Sequence, residues 1–181
     1  MKKLIKILLL ILTAVITVLL AKSGWHKFLD RFFPLKYEGY IEKYSEEYGL
    51  DKYLVMGVIN AESSFDHRAH SGIARGLMQL TGDTAKWIAD KLDLNYYEDI
   101  EENPEMNIQM GCYYLSYLIG QYQNIDTALA AYNAGMGNVS SWLKNPDYSG
   151  DGITLDDIPY TETKKYVSRV KKLEQIYKKL Y

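Results

Sequence analysis

The chain of 181 residues has one cysteine, no excess of basic charge, no internal repeat and no low-complexity tract. Each lack removes a class of protein. Cys112 alone cannot form an intramolecular disulfide, and it lies too far from the N-terminus to carry a lipoprotein anchor, so lipid attachment is not expected. It falls between apolar positions of a helical pattern, where a thiol packs as a small hydrophobe. A formal net charge of -2 argues against a nucleic-acid partner, which calls for a basic excess or stripe. The one local concentration of Lys164, Lys165, Lys171, Lys172, Lys178 and Lys179 reads as the solvated face of a last helix. No metal or other cofactor is expected. His67 and His70 beside Asp66 lack the wider histidine spacing and third ligand of a helical zinc site. Asp147, Ser149, Asp151 and Gly152 open like a calcium loop, but Ile158 stands where that loop needs a bidentate Glu.

What is present begins at the N-terminus. Lys2, Lys3 and Lys6 precede an uncharged run from Ile7 to Ala21, the charged-then-apolar order of an export signal. From Leu4 the apolar stretch is about 18 residues, near the lower limit for a helix that spans a bilayer. Two outcomes stay open: the segment remains as an anchor, or Ala21 and Ser23 allow cleavage after Ser23. Residues 1–23 are therefore expected to be a signal peptide or transmembrane anchor. Residues 24–36 form a juxtamembrane segment in which Trp25, Phe28, Phe32 and Phe33 lie beside Lys27, Arg31 and Lys36. That composition suits a membrane interface and packing on a domain equally. The expected location is the extracytoplasmic face of the cell envelope, membrane-held or secreted.

Residues 37–181 have room for one domain. Their pattern is helical, without the sustained alternation of a sheet, and predicts an all-α fold or an α-rich α+β fold. A helix near Tyr37 to Tyr48 stops at Gly49, and Asp51 caps a second that runs to Glu62 with Leu54, Val55, Val58 and Ile59 inward. Further helices are expected near Thr84 to Leu92 and Thr127 to Ala134. Asn103 and Pro104 start a long helix whose stripe is Ile108, Cys112, Leu115, Ile119 and Tyr122. Thr161 caps a last helix with Val167, Val170, Leu173 and Ile176 inward.

Glu62 stands at the end of the apolar run VMGVINAESSF, so its helix belongs to the core while its carboxyl emerges at the helix C-terminus. Desolvation and the negative end of the helix dipole both disfavour its ionised form, which raises its pKa toward the range of a general acid. Taken alone, a structural carboxylate that pairs with a cation or caps backbone explains the residue equally well.

Four short motifs follow in order: Glu62 with Ser63; Ser71 and then RGLMQL at Arg75 to Leu80; AAYNAGMGNV from Ala130; and IPYTETKKYV from Ile158. Together, over roughly 40–173, they resemble the lytic transglycosylase domain of the soluble-lytic-transglycosylase type, a lysozyme-like fold related to goose-type lysozyme. Any one motif is weak evidence, but four in the expected order are specific. The resemblance implies an enzyme acting on peptidoglycan glycan strands. Glu62 would protonate the glycosidic oxygen between N-acetylmuramic acid and N-acetylglucosamine, then act as base. The muramic acid's 2-acetamido oxygen would assist departure and its 6-hydroxyl would close a 1,6-anhydro ring. Such substrate assistance dispenses with a second carboxylate, for which Asp66 and Glu162 are the nearest candidates.

The resemblance further implies that Tyr132 lies against the catalytic carboxyl and donates to it. Ser63, Ser71, Met78, Gln79, Asn133, Glu162 and Tyr166 fall on substrate-binding positions. Each type also serves in turns, caps and packing. Gly76 and Gly135 are expected to adopt positive φ or to let the chain approach the glycan closely, a plain helix stop being an equal account of Gly135. A monomer is expected. Two alternatives remain: a muramidase hydrolysing the same bond with water, and a wall-binding scaffold without activity.

Overall fold

The computed structural model describes residues 2–97 and 99–181; within the first helix, side chains are described from Leu10 onward except those of residues 11, 14 and 26. The chain forms two compact units, one ending at Lys36 and the other running from Tyr37 to Tyr181.

In the first unit, α1 runs Lys2–Phe32 without a break at Ser23. Its Trp25, Phe28 and Phe32 rings follow one another at centroid separations of 5.6 and 4.8 Å, as spacings of three and four residues dictate on a helix face. The charged lead of Lys2, Lys3 and Lys6 lies outside the described side chains. Among the described residues no helix is long and apolar enough to cross a membrane.

The second unit is built from α2 (Glu38–Glu47), α3 (Lys52–Ser63), β1 (His70–Ser71), β2 (Ala74–Arg75), β3 (Leu80–Thr81), α4 (Gly82–Lys91), a 3-10 turn (Ile100–Glu102), α5 (Pro104–Tyr122), α6 (Ile125–Ala134), α7 (Met136–Leu143) and α8 (Thr161–Leu180). The strands form a small antiparallel sheet in sequence order, with His70 opposite Arg75 and Arg75 opposite Leu80. Strands of two residues are too short to show alternation, so the sequence gives no sign of the sheet. Nor does it announce α7, which follows α6 across Gly135 alone.

The caps are those expected at three ends. The Asp51 carboxylate accepts from the Tyr53 amide at 2.8 Å, Gly49 has φ 67°, and Asn103 accepts from the amides of Glu105 and Met106 behind Pro104. The start of α8 differs. Thr161 is its first helical residue, and the cap position falls on Tyr160, whose side chain makes no capping bond. Two stripes also shift. Leu118 rather than Ile119 is buried on α5, and Tyr177 rather than Ile176 on α8. A spacing of three or four places a residue on the same face, and the neighbouring element decides between them.

Helix α3 is buried continuously from Leu54 to Asn60, and its main partner is α8. Gly57 makes the approach possible: a Cβ there would lie 3.0 Å from the Val170 carbonyl oxygen. Three residues further along, the Asn60 amide donates to the Tyr177 hydroxyl at 2.9 Å inside the core. Cys112 is fully buried. The packing of α3 on α8 thus brings the end of one helix, at Glu62, against the first turns of the other.

Candidate active site

Glu62 is the penultimate residue of α3. Beyond it, Ser64 and Phe65 take left-handed conformations, φ 52° and 64°, and Phe65 is buried, so the chain turns sharply away from the helix end. Withdrawal from solvent pushes the Glu62 carboxyl up to about 7, opposed by Tyr166 and by the Arg169 charge. Among the described residues no carboxylate acts on it. Two phenols flank it. Tyr132 from α6 and Tyr166 from α8 both titrate well above an ordinary phenol, through burial first and the nearby Glu62 second. The Tyr166 hydroxyl is sealed from solvent and forms no hydrogen bond of full geometry among the described residues. It stands beside the Glu62 carboxyl as a near contact that draws its proton affinity down.

The segment 69–81 forms the adjoining wall. Gln79, at φ 47°, folds its amide back, donating to the carbonyls of Ala69 at 2.9 Å and Gly76 at 2.8 Å while its oxygen accepts from the Ser71 hydroxyl at 2.6 Å. Ser71 and Gln79 are therefore brought together, with Ser71 exposed. The Met78 side chain is fully buried, packed against Gly111, and its carbonyl accepts from the Tyr132 hydroxyl at 2.8 Å. The Ser63 hydroxyl donates inward to the Leu77 carbonyl at 2.8 Å, with the Ile59 carbonyl 3.2 Å away. Asn133 and Glu162 are exposed, the first beside Tyr132 on α6 and the second one turn before Tyr166 on α8. The expected donors thus mostly spend their hydrogen bonds in fastening the wall beside Glu62.

Gly76 has φ 79°, and a Cβ on it would collide with the Glu101 carbonyl and the Asn107 side chain. The positive φ is as expected, and the close approach on this side is to the protein itself. Asn107 is the residue that the sequence reading missed. Fully buried on α5, it accepts from the Met78 amide at 2.7 Å and donates to the carbonyls of Glu101 at 2.8 Å and Arg75 at 3.2 Å. The signal was an amide directly before Ile108 in an apolar stripe. Arg169, on α8, gives no such signal in the sequence. Gly135, at φ 86°, ends α6.

The histidine and aspartate positions weighed for metals are engaged within the chain. His67 Nδ1 lies 3.3 Å from the Tyr37 hydroxyl, and His70 Nε2 lies 3.0 Å from Glu102. Asp151 accepts from the amides of Ile153 and Thr154, which hold its carboxyl down at about 2. Among the described residues no group of three or more His, Cys, Asp or Glu is placed to hold a metal ion.

The sequence profile of the transglycosylase SLT domain matches residues 39–152, more than half of the chain. The chain belongs to that family. It is 32% identical over 155 residues to the soluble lytic murein transglycosylase of Salmonella typhimurium, an alignment covering 83% of this chain and 24% of that protein. It is 36% identical over 122 residues to the membrane-bound lytic murein transglycosylase F of Desulfosudis oleivorans, covering 61% of this chain and 23% of that one. Among solved structures it matches the lytic transglycosylase Slt of Pseudomonas aeruginosa, determined as an inactive glutamate-to-glutamine mutant, with a TM-score of 0.73, 33% identity, and coverage of 82% and 25% of the two chains. The chain spans about a quarter of the length of these relatives. Within the SLT domain match fall Glu62, Ser63, Ser71, Met78, Gln79, Tyr132 and Asn133. Glu162, Tyr166 and Arg169 lie beyond it, on α8.

Proposed function

We propose that the chain is a peptidoglycan lytic transglycosylase that cleaves the bond between N-acetylmuramic acid and N-acetylglucosamine without water. The observation that carries this is Glu62: one carboxyl poised near neutrality, flanked by two phenols, with no second carboxylate acting on it among the described residues. At neutral pH such a group is divided between acid and base, so it can serve as each in turn. In the first step the Glu62 carboxyl gives its proton to the glycosidic oxygen as the C1–O bond breaks, and the muramic acid's 2-acetamido oxygen bonds to C1. In the second, the 6-hydroxyl oxygen attacks C1, the acetamido oxygen departs, and the Glu62 carboxylate takes the hydroxyl proton. The glutamate returns to its starting state, and the product carries a 1,6-anhydro ring. The inactivity of the Pseudomonas relative as a single glutamate-to-glutamine mutant supports dependence on one carboxyl.

Around Glu62, Tyr132 and Tyr166 would shape the carboxyl's surroundings, while Ser71, Gln79, Asn133 and Glu162 present polar groups along the wall and rim to the sugars and their peptide stems. Ser63 and Met78 would serve through the backbone that they secure. We further propose that α1, with its exposed apolar side chains and the ring row of Trp25, Phe28 and Phe32, holds the enzyme to a membrane at the outer face, unless it is removed after Ser23. The existence of soluble and membrane-bound relatives leaves room for both.

Digestion of purified sacculi followed by mass spectrometry tests the reaction. Anhydro-muropeptides, lighter by one water than reducing-end products, are expected. Reducing ends alone would make the protein a muramidase, and intact sacculi a scaffold.

A further inference from the structure

On the proposed reading, Glu62 must be stable as a carboxylate between the two steps, yet the flanking phenols supply no positive charge. Among the described residues the cation that acts on Glu62 is Arg169, one turn after Tyr166 on α8. Its guanidinium donates to the Asn60 carbonyl at 3.3 Å. That carbonyl belongs to the last turn of α3, two residues before Glu62, and also accepts from the Ser64 amide at 3.1 Å. Carbonyls at a helix C-terminus carry the negative end of the helix dipole, which repels a carboxylate beside them. A guanidinium fixed on that turn offsets this field and adds its own attraction.

We propose that Arg169 is a positioning residue for Glu62: anchored on the last turn of α3, it stabilises the carboxylate that Glu62 becomes after releasing its proton and so sets the pH range in which one residue serves as acid and base. Among the described residues the titratable and charged groups that act on Glu62 are few. Tyr132 comes from α6, Tyr166 and Arg169 from α8, and of these Arg169 alone is charged at neutral pH. The pull of Arg169 on the Glu62 titration has the direction that this geometry requires. Arg169 is also solvent-exposed, so its replacement spares the core.

The inference rests on the lytic-transglycosylase reading, and the experiment separates the two. Anhydro-muropeptide release from purified sacculi at limiting substrate is followed from about pH 5 to about pH 9 for the full chain, Arg169→Met, Arg169→Lys and Glu62→Gln. The alkaline limb reports loss of the Glu62 proton. In Arg169→Met it is expected to move up by about half a pH unit, which retains roughly threefold more of the plateau rate on the alkaline side. The plateau itself falls, because a weaker acid gives up its proton less readily. Arg169→Lys keeps the limb near its original position. If the Arg169→Met limb coincides with that of the unaltered protein, or if Lys and Met shift it equally, the inference is overturned. Release retained in Glu62→Gln would overturn the functional reading, and the inference with it. Should Arg169→Met fail to fold, the unaltered protein still decides: raising salt from about 0.02 M to about 0.5 M screens an exposed cation and is expected to move the limb up, and an unmoved limb overturns the inference.

Discussion

The Tyr132 hydroxyl donates to the Met78 carbonyl at 2.8 Å, fastening α6 to the wall formed by segment 69–81. The phenol is thus engaged with backbone while its ring remains beside the carboxyl. Tyr132→Phe would leave the Met78 carbonyl unpaired and is expected to cost about 1–2 kcal/mol, read as a lower midpoint in denaturant. Its alkaline limb in sacculus digestion should stay nearly in place. Tyr166→Phe removes the near contact that lowers the Glu62 pKa, so its limb should move to higher pH. Equal behaviour of the two variants would contradict this division of roles.

Glu62 links activity to stability with opposite consequences. Its folded pKa of about 7 lies above the ordinary value of 4.5, so folding favours the protonated form. The stability contributed is fully present below the ordinary value and is lost as pH rises through about 7. Glu62→Gln removes a carboxylate that is costly to bury at alkaline pH. It should be more stable than the unaltered protein by about 1–3 kcal/mol near pH 8, with the advantage vanishing near pH 5. The same substitution should reduce anhydro-muropeptide release by about 100-fold or more, the usual contribution of a general acid. Thermal melts at the two pH values and product analysis check the two halves.

Asn107 satisfies one backbone amide and two backbone carbonyls from a fully buried position. Asn107→Leu abandons all three and is expected to destabilise by about 3–5 kcal/mol. Asn107→Asp keeps an acceptor for Met78 but turns a carboxylate oxygen onto two buried carbonyls, and should destabilise at least as much as Asn107→Leu near neutral pH. Urea unfolding of the three proteins gives the order directly.

Gly76→Ala meets two obstacles at once, a positive φ and a Cβ lodged in the Glu101 carbonyl and the Asn107 amide. A loss of about 3 kcal/mol or more is expected. Gly135→Ala, at φ 86° and ψ 147° but with open space around its Cβ, meets the backbone obstacle alone and should cost less than Gly76→Ala, about 1–3 kcal/mol. Comparable losses in both would mean that backbone conformation, rather than the Glu101 and Asn107 contacts, governs the effect.

Much of the fold was legible because helices announce themselves locally. Asp51, Gly49, and Asn103 with Pro104 mark ends through bonds within a turn, and the run through Leu54 to Asn60 is apolar enough to be core in any arrangement. The two-residue strands were hidden because a pairing so short leaves no period to detect, and α7 because its eight residues make little more than two turns directly after α6. The choices of Tyr177 over Ile176 and Leu118 over Ile119 depend on which helix lies opposite, information that a single helical stripe does not hold.

For the site, the sequence by itself determined that Glu62 ends a buried helix and that the segments carrying Gln79, Tyr132 and Tyr166 belong to one family pattern, because motif order and apolar runs are properties of the chain. Only the tertiary structure decided how those segments bond. It turned Tyr132 and Ser63 onto backbone carbonyls, buried Met78, placed Asn107 beneath the wall and set Arg169 on the last turn of α3. The physical reason is that a hydrogen bond or a charge interaction depends on distance in space. Residues as far apart in sequence as Asn60 and Arg169 meet only because Gly57 lets α3 and α8 pack at close range.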